Sequence, residues 1–132
     1  MTVLKQLSKG ASLETTLKAV SRMDLIKYSG SSGDFNPIHT IDEEAKKAGL
    51  PGIIAHGMWT MGNFAKLFTP YHEEGFIKDY QIRFSGMVFL GDVLTLIAEL
   101  DEKNDNLLTF NVKVINQKDK DVVKGKIKFE LY

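Results

Sequence analysis

The chain has 132 residues, with 17 basic and 17 acidic side chains, a formal net charge of zero and no cysteine. Its 43% hydrophobic and 26% charged composition is that of one ordinary globular domain spanning residues 1–132, able to bury about two-thirds of its unfolded surface. These numbers exclude wholesale disorder, a disulfide scaffold, a thiolate metal site and a cysteine nucleophile, and the charge balance excludes a general nucleic-acid binder.

Residues 1–10 carry two lysines but no apolar segment, so they do not read as a secretory signal, and no run long enough for a membrane span occurs. A cytoplasmic protein with no membrane partner is expected. Leu13, Thr15, Leu17 and Ala19 alternate with Glu14, Thr16, Lys18 and Val20, which predicts a strand. Ser21 followed by Asp24 predicts a helix start, with Met23, Leu25 and Ile26 apolar and with Gly30 and Gly33 at its end. A second short helix is expected from Thr40 as N-cap, Glu43 at the capping-box position and Gly49 after Ala48. Residues 57–68 are apolar on nearly every face, through Met58, Trp59, Met61, Phe64, Ala65, Leu67 and Phe68. That pattern predicts a buried helix stopped by Pro70.

After Gly75 the period becomes two. Strands are expected over 77–88, 93–100, 107–116 and 122–131, separated by turn residues at 90–92, 104–106 and 118–120. The last strand sets Val123, Ile127, Phe129 and Leu131 against Lys124, Lys126, Lys128 and Glu130. The lysine stripe reads as the solvated face of an antiparallel strand. The expected class is α+β: an antiparallel sheet of about five strands curled around a central buried helix. Its exposed edges favour pairing with a second subunit.

One segment reads as chemistry rather than scaffold. In residues 28–39, Asp34 and His39 stand five positions apart. Pro37 stiffens the loop between them and Gly33 lets the chain reverse before them. A stiff loop carrying a carboxylate and an imidazole suits proton transfer. The competing reading is a satisfied turn in which Asp34 caps local amides and His39 is hydrogen-bonded at a helix start. The second element is Ile54-Ala55-His56-Gly57, which leads into the buried helix. Unpaired N–H groups and the positive dipole end suit an oxyanion there, although Gly57 is also what a crowded helix start needs. Ligation of a metal by Asp34, His39 and His56 is conceivable, but no metal is expected. No phosphate-binding glycine pattern, His-Glu-x-x-His or Gly-x-Ser-x-Gly motif is present.

Gly33-Asp34-x-Asn36-Pro37-x-His39 resembles the signature of the MaoC-like (R)-specific enoyl-CoA hydratases. The likeness continues through Ala45, residues 54–58, Ile82-Arg83-Phe84 and Gly91-Asp92. Two departures are a proline-free segment between Phe84 and Gly91, and Ala65 where some relatives carry serine. The resemblance implies a hot-dog fold, usually dimeric, with Asp34 and His39 as the catalytic pair and Asn36 ordering the loop or positioning water. It implies Gly57 as oxyanion donor, with His56 and Met58 beside it in the substrate-binding segment. The implied reaction is reversible hydration of trans-2-enoyl-CoA, a carbon–oxygen lyase activity of fatty-acid metabolism needing no cofactor. A 3-hydroxyacyl-[acyl carrier protein] dehydratase is the alternative, and a non-catalytic acyl-thioester-binding subunit is the second.

Overall fold

The computed structural model describes residues 4–132; residues 1–3, at the head of the stretch expected not to be a secretory signal, lie outside the described residues. In chain order the elements are β1 (Ser12–Thr16), α1 (Arg22–Ser32), α2 (Asp42–Lys47), α3 (Gly57–Phe64), β2 (Gly75–Phe84), β3 (Thr95–Asn104), β4 (Leu107–Ile115) and β5 (Asp121–Leu131). The five strands form one antiparallel sheet in the order β1-β3-β4-β5-β2. The class is α+β, as expected.

Register explains why one face of this sheet is apolar. Leu96 pairs with Val114 and Leu100 with Phe110 across β3 and β4, while Phe110 pairs with Ile127 and Leu108 with Phe129 across β4 and β5. All of these side chains are buried. The period-2 pattern therefore stacks apolar residues in rows across the strands, leaving Lys124 and Lys126 of β5 exposed on the other face. Phe64, Leu67 and Phe68, at the end of α3 and just beyond it, complete this core.

Five expectations are corrected. β2, β3, β4 and β5 are not a four-strand meander. Only β3-β4-β5 are joined by tight turns, with Asp105 and Asp119 at positive φ, and β2 crosses to the far side of β5. The 85–94 connection is a loop rather than a turn, so it lets β2 and β3 part. β1 stops at Thr16, although Leu17 and Val20 still donate their N–H groups to the carbonyls of Leu94 and Asp92. Thr40 does not cap α2: it closes a 3-10 turn over Pro37–His39, and Ile41 takes the N-cap place without a side-chain bond.

The fourth correction concerns the central helix. α3 ends at Phe64 and continues as 3-10 turns over Ala65–Leu67 and Thr69–Tyr71, with Pro70 in the second. It is buried on one side only: Thr60, Asn63 and Phe64 face inward, while Met58 is 57% exposed. A single five-strand sheet covers one flank of a helix and not both. Gly30 lies within α1, whereas Gly33 ends it in the left-handed conformation (φ 77°), donating its N–H to the Ser29 carbonyl. The Ser21–Asp24 capping box is formed as read.

Candidate active site

The segment from Gly33 to His39 is ordered by its own short polar side chains. The Ser32 hydroxyl accepts the Asp34 N–H at 3.1 Å, Asp34 Oδ1 accepts the Asn36 N–H at 3.1 Å, and Asn36 Oδ1 accepts the Ile38 N–H at 3.2 Å. Three successive turns of this kind, followed by Pro37 at the head of a 3-10 turn, leave the loop few alternatives. Asn36 is thus loop-ordering through its carbonyl oxygen.

His39 is fixed from the opposite side. Its ring, with the side chain 9% exposed, donates from Nδ1 to the Ile54 carbonyl at 2.8 Å. The 54–55 segment is itself tied down: Ile54 N–H donates to the Ile38 carbonyl, Ala55 N–H donates to the Val88 carbonyl, and Ile54 bridges to Phe89. The 85–94 loop is held in turn by buried Asp92, whose Oδ2 accepts the Phe89 N–H at 2.8 Å. A proton on Nδ1 leaves the lone pair of Nε2 directed toward Asp34. His39 Nε2 and Asp34 Oδ2 lie 3.8 Å apart, and the carboxylate side chain is 51% exposed. That gap is too long for a direct hydrogen bond, but a single water at about 2.8 Å from each atom spans it. Oδ1 of Asp34 caps the turn, as the turn reading expects, while its Oδ2 accepts no hydrogen bond among the described residues and faces His39.

His56 lies behind the pair. Its ring is 2% exposed and stacks on His39 with centroids 3.8 Å apart. It meets the edge of Tyr28 at 4.8 Å. Its Nε2 is 3.1 Å from Ser29 Oγ and 3.3 Å from the Asp34 carbonyl oxygen. Burial, together with the neighbouring His39, holds the His56 imidazole below its ordinary pKa, so it is neutral at pH 7. One atom each from Asp34, His39 and His56 lies within 4.8 Å of the others, a spacing able to gather a cation. Hydrogen bonds already engage His39 Nδ1 and His56 Nε2.

His56 is also the N-cap residue of α3, and its carbonyl accepts the N–H groups of Trp59 and Thr60. The N–H groups of Gly57 and Met58 have no acceptor within the helix, so unpaired donors and the positive dipole end stand at its start. A Cβ at Gly57 would stand 2.9 Å from Phe84 Cζ, so the crowding expected at this glycine is real. The Met58 side chain turns outward. Sequence reading singled out Asp34, Asn36, His39, His56 and Gly57; Tyr28, Ser29, Ile54 and Phe84 fell in the same segments without a role. The available signal for these was that a buried histidine must find partners.

The model of the MaoC-like domain family matches residues 6–122. The chain belongs to that hydratase and dehydratase family. It is similar to the solved R-hydratase PhaJ1 from Pseudomonas aeruginosa, with TM-score 0.89 and 28% identity, over 96% of this chain and 83% of that one. The sheet and its helix are therefore a hot-dog fold. It is 26% identical over 113 residues to the mitochondrial 3-hydroxyacyl-[acyl-carrier-protein] dehydratase of Arabidopsis thaliana, covering 83% of this chain and 68% of that protein. It is also 39% identical over 77 residues to fatty acid synthase subunit beta of Aspergillus oryzae. That match takes in 56% of this chain but only 4% of the much longer relative.

Proposed function

We propose that the chain is an (R)-specific hydratase that adds water reversibly to trans-2-enoyl-CoA thioesters. The observation that carries this reading is the 3.8 Å separation of Asp34 Oδ2 and His39 Nε2. A water held between the two groups attacks C3, and the C2–C3 π electrons move onto the thioester oxygen. The Gly57 N–H and the helix dipole stabilise that enolate. The pair takes one proton from the water and returns one to C2, so Asp34 and His39 finish the cycle as they began. Net addition of water to a conjugated thioester transfers no electrons, and the reading assigns it neither metal nor redox cofactor. The similarity to an R-hydratase across nearly the whole chain supports this direction and stereochemistry.

The test is loss of the enoyl-thioester absorbance when crotonyl-CoA is mixed with purified protein, followed by chiral analysis of the product. Turnover to the (R)-3-hydroxy product is expected. Tight binding without turnover would favour an acyl-thioester-binding subunit instead. A second reading is favoured by the Arabidopsis match: the reverse reaction on 3-hydroxyacyl groups carried by acyl carrier protein. A large preference for the carrier thioester over CoA at equal concentration would put that reading first.

We also propose that the working unit is a homodimer. Among the described residues β2 pairs only with β5, so its ten residues leave an open edge, and one flank of α3 is uncovered. Light scattering should give twice 14.8 kDa; a monomer overturns the assignment. A cytoplasmic setting belongs to the same proposal, since a chain with no cysteine draws nothing from an oxidising compartment.

A further inference from the structure

The reaction above leaves one buried titratable side chain without a task. His56 has a ring nitrogen, Nδ1, that is buried and unpartnered, while its other nitrogen faces two oxygens, Ser29 Oγ and the Asp34 carbonyl. Two neutral tautomers are available. With the proton on Nδ1, a buried N–H donor is stranded and the Asp34 carbonyl loses its donor. With the proton on Nε2, that N–H is offered to the Asp34 carbonyl and the Ser29 oxygen, and only a lone pair goes unmet. The second arrangement strands less, because an unmet lone pair is tolerated better than an unmet donor.

The consequence lies in what the ring connects. Through Nε2 it holds the peptide that carries Asp34, and through its face it supports His39. Through its own backbone it begins α3, and the peptide that follows it carries the Gly57 N–H. Ser29, buried in the last turns of α1, braces the ring from the third side. The groups facing the ring are Tyr28 and Ser29 from α1, Asp34 from the loop and His39 from the 3-10 turn. Asp34 is the one carboxylate among them.

We propose that His56, braced by Ser29, is a positioning residue. As the Nε2–H tautomer it sets the spacing between the Asp34–His39 pair and the Gly57 N–H, without touching substrate. This rests on the hydratase reading. It assigns the His56 side chain to catalytic geometry rather than to substrate contact.

The test has two arms. Long-range proton–nitrogen NMR of the wild-type protein reads the tautomers of its three histidines with no substrate present. His56 is expected to carry its proton on Nε2 and to remain neutral at pH 7. Hydration kinetics then compare His56→Ala, His56→Gln and Ser29→Ala, each checked for folding by circular dichroism. His56→Ala is expected to lower kcat about 100-fold with KM little changed, since small misplacement of reacting groups is expensive. His56→Gln, which keeps a donor for the Asp34 carbonyl, should recover much of that loss, and Ser29→Ala should lose less than His56→Ala. A proton found on Nδ1, a folded His56→Ala protein as fast as wild type, or His56→Gln no faster than His56→Ala overturns the positioning role. A wild-type protein inert toward crotonyl-CoA overturns the hydratase reading instead, and the tautomer measurement tells these failures apart.

Discussion

At the start of α3 the ring of His56 is stacked on His39 and hydrogen-bonded toward Ser29 and the Asp34 carbonyl. Just beyond the other end of the helix, Phe68 stacks on Phe129 with centroids 5.6 Å apart and meets Phe110 edge-on at 5.2 Å. The first end is held by directional bonds among polar groups, of which Ser29, His39 and His56 are buried and Asp34 is exposed. The second is held by apolar area and shape. The difference separates two jobs in one short element. Substitutions at the polar end should register in rate, where geometry matters to tenths of an ångström, and those at the aromatic end in stability.

The sharpest way to break this contrast is His39→Ala. It should lower kcat by about 10²–10⁴ in steady-state hydration while circular dichroism shows a folded chain; an unfolded variant would mean that the polar end also carries the fold. At the opposite end, Phe129→Ala should cost about 3–5 kcal/mol in denaturant unfolding, with kcat per folded molecule close to wild type. A smaller effect follows from acid. Because His56 is depressed in the folded state by burial, the unfolded chain binds its proton more readily, and stability rises with pH through that window. Stability should therefore be full above the unfolded histidine pKa of about 6.5. It should fall as pH drops through the lower folded value, and a series of thermal melts should show this step weakened in His56→Gln. The smallest effect is expected where the two regimes meet, at the Tyr80 hydroxyl that donates to the Met61 carbonyl of α3. Burial raises the pKa of that phenol, so it stays a donor across the working range, and Tyr80→Phe should cost about 1 kcal/mol.

How far each end was legible in the sequence follows from the range of its interactions. Asp34, Asn36, Pro37 and His39 act on one another within a few residues, so turn chemistry and spacing marked the segment, and the family resemblance supplied the expected roles. The rows of buried residues on β3, β4 and β5 were visible as alternation. What alternation cannot encode is which strand lies beside which. The pairing of Gly75 with Leu131 joins the first strand of the run to the last and turned the expected meander into a crossover. Thr40 illustrates competition: a sound N-cap residue by type, it was taken by the 3-10 turn that Pro37 begins. Apolar pattern alone made α3 look buried all round, because it cannot distinguish a flank covered by the chain's own sheet from one left open. Ser29 and His56 are far apart in the chain and meet only once α1 and α3 are placed.

The measurement that bears most directly on the central claim is the initial rate of crotonyl-CoA hydration by wild-type protein beside Asp34→Asn at equal folded concentration. Asparagine keeps an oxygen for the Asn36 N–H, so the loop is expected to survive while the proposed proton-transfer group is lost. The account predicts turnover by the wild type and a rate about 10²–10⁴ lower in the variant. Equal rates in the two proteins, or no turnover by the wild type, would contradict it.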